Sequence, residues 1–223
     1  MKIYDISLTL SESLVIWPGD PAIQMNRVAD LANGDMATVT QVSMGLHSGT
    51  HIDSPAHFVA GGKKSDSLDL NKLIGPCFVV AIEEDIKSIS SKVLNGLEIP
   101  PETKRILFHT KNSKLWQKDK QEFVKDYVAI SEDGARWLAD RKIWLVGVDY
   151  LSVASFEDPV PVHRILLADD IVVVEGLNLH NIAAGFYQIV CLPLKIANCE
   201  AAPARVVLID DNEDQGKFFD LER

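Results

Sequence analysis

His47-Ser48-Gly49-Thr50-His51-Ile52-Asp53-Ser54-Pro55-Ala56-His57 gathers three of the chain's 6 histidines and an aspartate into one short run. Imidazole nitrogen and carboxylate oxygen are the ordinary ligands of zinc, manganese and iron. Spacing narrows the reading. On a helix, His47 and His51 would share a face, but Gly49 and β-branched Thr50 disfavour a helix. In an extended chain, positions 47, 49, 51 and 53 point the same way. Ligand side chains then project from His47, His51 and Asp53. Gly49 between them leaves free the space a metal needs. Pro55 stops the strand and turns the chain. His57 then returns toward the cluster, as a further ligand or as a general acid-base.

Outward from this run, two-residue alternation predicts strands over Lys2 to Leu10, Ile23 to Val28 and Ala37 to Leu46. Trp17-Pro18-Gly19-Asp20-Pro21 is a turn with an aromatic at its lip, and residues 60 to 66 form a flexible loop. Short apolar runs at Phe78 to Glu83, Arg105 to His109, Ile143 to Asp149 and Ile171 to Val174 predict buried strands. Phe186 to Ile196 and Ala204 to Ile209 add two more. Helices are expected over Ser88 to Leu97 and over Ser131 to Asp140. In the second, Ser131 caps and Glu132 and Asp133 occupy the first turn. Strand, helix, strand across 105 to 149 implies one crossover unit. The fold class is α/β: one β-rich domain of mixed strands with a few helices, over residues 1 to 210. Residues 211 to 223 are an acidic tail, read as either disordered or an arm on a partner subunit.

A net charge of -10 and a pI near 5.0 repel nucleic acid and anionic membranes, so neither is expected as a partner. Three cysteines, Cys77, Cys191 and Cys199, make no disulfide scaffold, and the first two sit in apolar runs as buried thiols. No apolar stretch reaches the ~18 residues of a membrane helix, and Met1 to Asp5 has no signal-peptide core. A cytoplasmic protein acting on a small molecule is expected.

A mononuclear metal site needs only His47, His51 and Asp53. A binuclear site needs more donors, and His163 and Glu175 are the remaining candidates. Glu175 directly follows Ile171-Val172-Val173-Val174, and a carboxylate buried there is costly without a cation. The bland readings are a glutamate emerging into water at a strand end and a histidine at a helix start after Pro161. Structural zinc sites are usually Cys-rich, and no cysteine lies near the segment, which favours catalysis. Ser48 lacks the Gly-x-Ser-x-Gly elbow of a serine nucleophile.

The segment from His47 to His57 resembles, without a break, the His-x-Gly-Thr-His-x-Asp-x-Pro-x-His hallmark of a cyclase superfamily of metal-dependent hydrolases. That superfamily includes bacterial kynurenine formamidase and isatin hydrolase. Collinear matches support the resemblance: Trp17-Pro18-Gly19-Asp20, Gly147-Val148-Asp149-Tyr150-Leu151-Ser152, His163, Glu175-Gly176-Leu177, Gly185-Phe186-Tyr187 and Leu192-Pro193-Leu194-Lys195. The resemblance implies the fold of that family, with His47, His51 and Asp53 on one metal. It implies that Asp53 and Glu175 bridge to a second metal, bound also by His163. It makes His57 the catalytic acid-base and Trp17 a wall of the substrate pocket. The implied cofactor is one or two divalent ions per subunit, zinc or manganese, in a homodimer or homotetramer. The implied reaction is hydrolysis of a small aromatic amide or formamide, akin to N-formylkynurenine, by hydroxide generated on the metal. Two readings stand beside it. One is a cyclic amide or lactone hydrolase, or a dehydrating cyclase, on the same scaffold. The other is a non-catalytic metal- or ligand-binding protein.

Overall fold

Short apolar runs form the buried strands, and the pairing of these runs sets the architecture. The computed structural model describes residues 1–117 and 122–210. The acidic tail lies outside the described residues. In chain order the described residues form β1 (Lys2–Asp5), β2 (Gln24–Ala29), β3 (Val39–Ser43), β4 (His51–Asp53), α1 (Leu70–Leu73), β5 (Ile74–Ala81), β6 (Ser88–Ile89), α2 (Ser91–Asn95), β7 (Arg105–His109), β8 (Ala129–Ile130), α3 (Glu132–Asp140), β9 (Leu145–Val148), α4 (Val160–Ala168), β10 (Val172–Glu175), β11 (Gly185–Pro193) and β12 (Ala201–Asp210).

The main sheet runs β1-β12-β11-β5-β7-β9-β10-β4, and β4 pairs again with β12. The sheet therefore closes on itself, with β4 as the closing strand. Its centre, β5-β7-β9-β10, is parallel, and the remaining pairs are antiparallel. Parallel strands must be joined by crossovers, and α3 lies in the β7-to-β9 connection, as the sequence predicts. Ser131 caps α3 by accepting from the Gly134 N–H, and Glu132 and Asp133 occupy its first turn.

Alternation along each strand divides the apolar residues between two cores. Cys77, Val79, Leu107, Leu145, Val172, Val174, Ile189, Val206 and Ile52 fill the interior of the closed sheet. Val80, Ile106, Phe108, Val146, Val148 and Val173 face outward, under a helical layer that includes Leu94, Leu138 and Leu166. On β10 this leaves Val173 and Glu175 on the outer side. On β4 it leaves His51 and Asp53 there, because Ile52 between them points inward.

Several expectations are corrected. The first strand ends at Asp5, whose carboxylate accepts the Ser7 N–H. The helix expected over Ser88 to Leu97 is split. Ser88 and Ile89 pair with β8, and α2 then starts where Ser90 Oγ accepts from the Val93 N–H. Strands β2 and β3 do form, but as a separate two-stranded ribbon in which every β3 residue is exposed. No helix among the described residues is long and apolar enough to cross a membrane.

Candidate metal centre

Only His51–Asp53 of the His47-to-His57 segment is extended; residues 46 to 50 turn. Gly49 sits at φ +67°, where side chains are strained, and a Cβ there would lie 2.6 Å from Leu10 Cδ2. The glycine is thus required by its left-handed backbone and by the packing of Leu10 and Leu14. Space for a metal, the reason expected from the sequence, does not explain it. Pro55 begins a 3-10 turn, Pro55–His57, which carries His57 back over the cluster as expected.

The fold brings the five predicted ligands together. His51 and Asp53 come from β4, and Glu175 stands directly across from His51 on β10. His163 comes from α4, which packs on β10 and on the Pro55–His57 turn. His51 Nε2 lies 3.5 Å from Asp53 Oδ1 and 3.4 Å from Glu175 Oε2. His163 Nε2 lies 3.2 Å from Glu175 Oε1 and 3.7 Å from Asp53 Oδ2. His47 Nδ1 lies 2.9 Å from Asp53 Oδ1. All but His47 are buried.

Two imidazoles are oriented from behind. His51 Nδ1–H donates to Gly49 O at 2.9 Å, and His163 Nδ1–H donates to Pro159 O at 2.7 Å. Each bond fixes the ring so that the opposite nitrogen, Nε2, faces the centre and can ligate a cation once its proton is lost, which is how metal-ligating histidines are usually held. Phe58 stacks on the His163 ring at 4.5 Å, and Val153 N–H donates to Glu175 Oε1 at 2.7 Å.

His51 Nε2 and both oxygens of Asp53 have no hydrogen-bond partner, although they are buried. His47 Nδ1 is close to Asp53 Oδ1 as an ion-pair contact, and no hydrogen bond joins the two. Buried polar atoms left so are costly and rare. A divalent cation satisfies them: two donors each ~2.1 Å from an ion at tetrahedral angles stand ~3.4 Å apart. Three donor atoms converge within 4.8 Å in two sets that share Asp53: His51, Asp53 and Glu175, and His47, Asp53 and His57. The residues present fit one or two divalent ions. His57 appears in the second set, so the geometry keeps open the ligand role that its position in the sequence also allows.

Electrostatics point the same way. Burial pulls the His51 imidazole down, but the carboxylates of Asp53 and Glu175 outweigh it and hold it up at about 10. Burial also opposes the charged forms of His47 and His163, and the same carboxylates raise both. Burial raises Asp53, and the histidines overcome that and hold it well below the usual carboxylate range. The two buried carboxylates draw positive charge from whatever is near. His57 is the exception. Its partial burial lowers it, so it is a neutral imidazole at neutral pH. Its ring lies 4.2 Å from that of His47 and 5.9 Å from that of His163.

Trp17 lies in an aromatic group, 5.4 Å from Phe123 and 5.3 Å from Phe156. Leu8 belongs to that group, and its N–H donates to Thr50 Oγ1 beside the ligands. Sequence reasoning missed Glu200, whose Oε1 lies 3.5 Å from His47 Nε2. It also missed Phe58, Phe123, Phe156 and the Val153 N–H. Phe58 follows His57 directly and was open to inspection. Glu200 is separated from the segment by most of the chain, and nothing in its local pattern marks it.

The family model described as "Putative cyclase" matches residues 4–155. "Cyclase-like protein 2" of Arabidopsis thaliana is 39% identical over 217 residues, 94% of this chain and 79% of that protein. "Kynurenine formamidase" of Salinibacter ruber is 35% identical over 213 residues, 94% of this chain and 98% of that protein. A solved structure described as a potential metal-dependent hydrolase with cyclase activity matches with a TM-score of 0.79 at 33% identity. The match covers 93% of this chain and 96% of that one.

Proposed function

This chain belongs to the cyclase family, and on that premise we propose that it is a metal-dependent hydrolase of a small aromatic amide or formamide. The observation that carries the reading is the convergence of His51 Nε2 and the Asp53 oxygens, buried and without hydrogen-bond partners, beside Glu175. The formamidase relative supports the choice of a carbon–nitrogen bond.

In this proposal His47, His51 and Asp53 would hold one ion, and His163 and Glu175, with Asp53 beside them, would hold a second. A divalent cation there, zinc or manganese, supplies Lewis acidity to a carbonyl and lowers the pKa of a water toward ~7. The chain's own residues do the rest. His57 is neutral near pH 7, so it accepts a proton from the attacking water and returns it to the departing nitrogen. A proton transfer of this kind is worth ~10²–10⁴-fold in rate. Trp17, with Phe123 and Phe156 behind it, offers a flat apolar wall for an aromatic substrate. The exposed Val28, Leu31 and Val42 on and beside the β2–β3 ribbon support assembly as a homodimer or homotetramer, read by light scattering.

The test is turnover of metal-free protein reconstituted separately with zinc and with manganese. The panel holds N-formylkynurenine, isatin and simple lactones. Metal-dependent release of formate from the formamide is expected. Turnover of isatin or lactones alone would replace the amide with a cyclic substrate, and metal binding without turnover on any of them would defeat the hydrolase.

A further inference from the structure

We propose that Thr50 is a positioning residue whose hydroxyl sets the spacing of His51 from Glu175 and thereby the site's grip on a divalent cation; this rests on the metal reading above.

The β4–β10 ladder ends at the pair His51 and Glu175. One step further along the two chains stand Thr50 and Gly176. Gly176 has φ +69°, which turns its chain out of the strand. A side chain bridges the two chains there. Thr50 Oγ1 donates to Gly176 O at 2.5 Å and accepts the Leu8 N–H at 2.8 Å. Gly176 N–H donates to Tyr150 O at 2.7 Å, and Thr50 O accepts the Ala204 N–H at 3.0 Å. Three segments are thus tied at one hydroxyl: the N-terminal stretch, the start of β4 and the end of β10.

The tie sits beside the ligands on both chains, because His51 follows Thr50 and Glu175 precedes Gly176. Contact between the two backbones is direct. A Cβ on Gly176 would lie 2.2 Å from Gly49 O, so no larger spacer holds the chains apart. Thr50 is 3% exposed, so water does not readily replace the bond. Without the hydroxyl, Gly176 O and the Leu8 N–H lose a partner together. The end of the ladder is then free to open at the step where Nε2 and Oε2 must converge. Groups that orient ligands from behind typically change metal affinity by ~10–100-fold.

The test is calorimetric titration of metal-free protein with zinc and with manganese, alongside thermal unfolding of the same samples. Thr50→Val keeps the shape and removes the hydroxyl. Its metal dissociation constant is expected to rise about 10-fold or more. Thr50→Ser keeps the hydroxyl and is expected to restore wild-type affinity. Ile106→Val, in the outer core away from the site, controls for general loosening: it lowers the unfolding temperature and leaves metal affinity as in the wild type. If Thr50→Val does not fold, Thr50→Cys takes its place, its thiol being a weak donor. The proposal is overturned if the variant without the hydroxyl binds metal like the wild type. It is overturned equally if Thr50→Ser fails to restore binding, or if Ile106→Val weakens binding as much. Wild-type protein that takes up neither ion overturns the metal reading itself, and this proposal with it.

Discussion

His51 and Glu175 face each other across β4 and β10, with Nε2 and Oε2 3.4 Å apart. Neither His51 Nε2 nor the neighbouring Asp53 oxygens complete a hydrogen bond. A proton on His51 or a cation at the centre can meet the need of the carboxylates, and the two compete.

That competition has a pH signature. His51 is held up at about 10 in the fold, above its ordinary value of 6.5. Its contribution to stability is therefore fully present below about pH 6.5 and is lost as pH rises through about 10. Metal-free protein should lose thermal stability across that window. Metal-loaded protein should lose less, because the bound charge does not depend on the proton. Thermal unfolding of both forms over the window checks this, and parallel curves would reject it.

Removing the metal should itself lower the unfolding temperature. An ion that binds the fold and not the unfolded chain adds about 2.7 kcal/mol at a free concentration 100 times its dissociation constant. Asp53→Ala, which removes the residue common to both donor sets, should bind no stoichiometric metal and show no shift on chelation. Elemental analysis decides, and full metal content in that variant would take Asp53 out of the ligand set.

His57→Ala separates two roles. As the proton carrier, its loss should leave metal content unchanged and reduce kcat by ~10²–10⁴-fold. As a ligand with His47 and Asp53, its loss should reduce metal content instead. Metal content and single-turnover rates on one preparation read both. Unchanged turnover would remove His57 from the chemistry.

Asp149 tests the scaffold under the site. Its buried carboxylate accepts from Thr110 N–H, Thr110 Oγ1, Ser113 N–H and Ser113 Oγ, at 2.8 to 3.1 Å. The loop it anchors carries the Val153 N–H that holds Glu175. Asp149→Ala strands the buried Thr110 N–H, at about 1–3 kcal/mol, and leaves the Ser113 N–H only its longer bond to Thr110 O. Asp149→Asn keeps an acceptor and should cost less. Urea unfolding ranks the pair, and an alanine variant no less stable than the asparagine one would contradict the network.

Much of this was legible because it is local. The apolar runs at 105 to 109 and 171 to 174 point to buried strands by their length and β-branched content, and Ser131 followed by Glu132 and Asp133 is a helix-start signal. The site was legible for a different reason: ligand chemistry needs histidine and carboxylate together, and His47, His51 and Asp53 are adjacent in the chain. Gly49 shows the limit. The sequence places it among the ligands, but the reason for it lies in Leu10 and the bend at 46 to 50, which are set by packing across the chain.

Alone, then, the order of residues determined which side chains are candidate ligands and which strands are buried, because both follow from side-chain chemistry and short-range alternation. Tertiary structure decided that Ile52 points into the closed sheet and turns His51 and Asp53 outward. It also decided that Glu175, His163 and Glu200 arrive beside them. Those placements depend on β4 closing the sheet between β10 and β12, a pairing between segments more than a hundred residues apart. No local pattern encodes such a contact; it forms only when burial of the whole apolar interior brings those edges together.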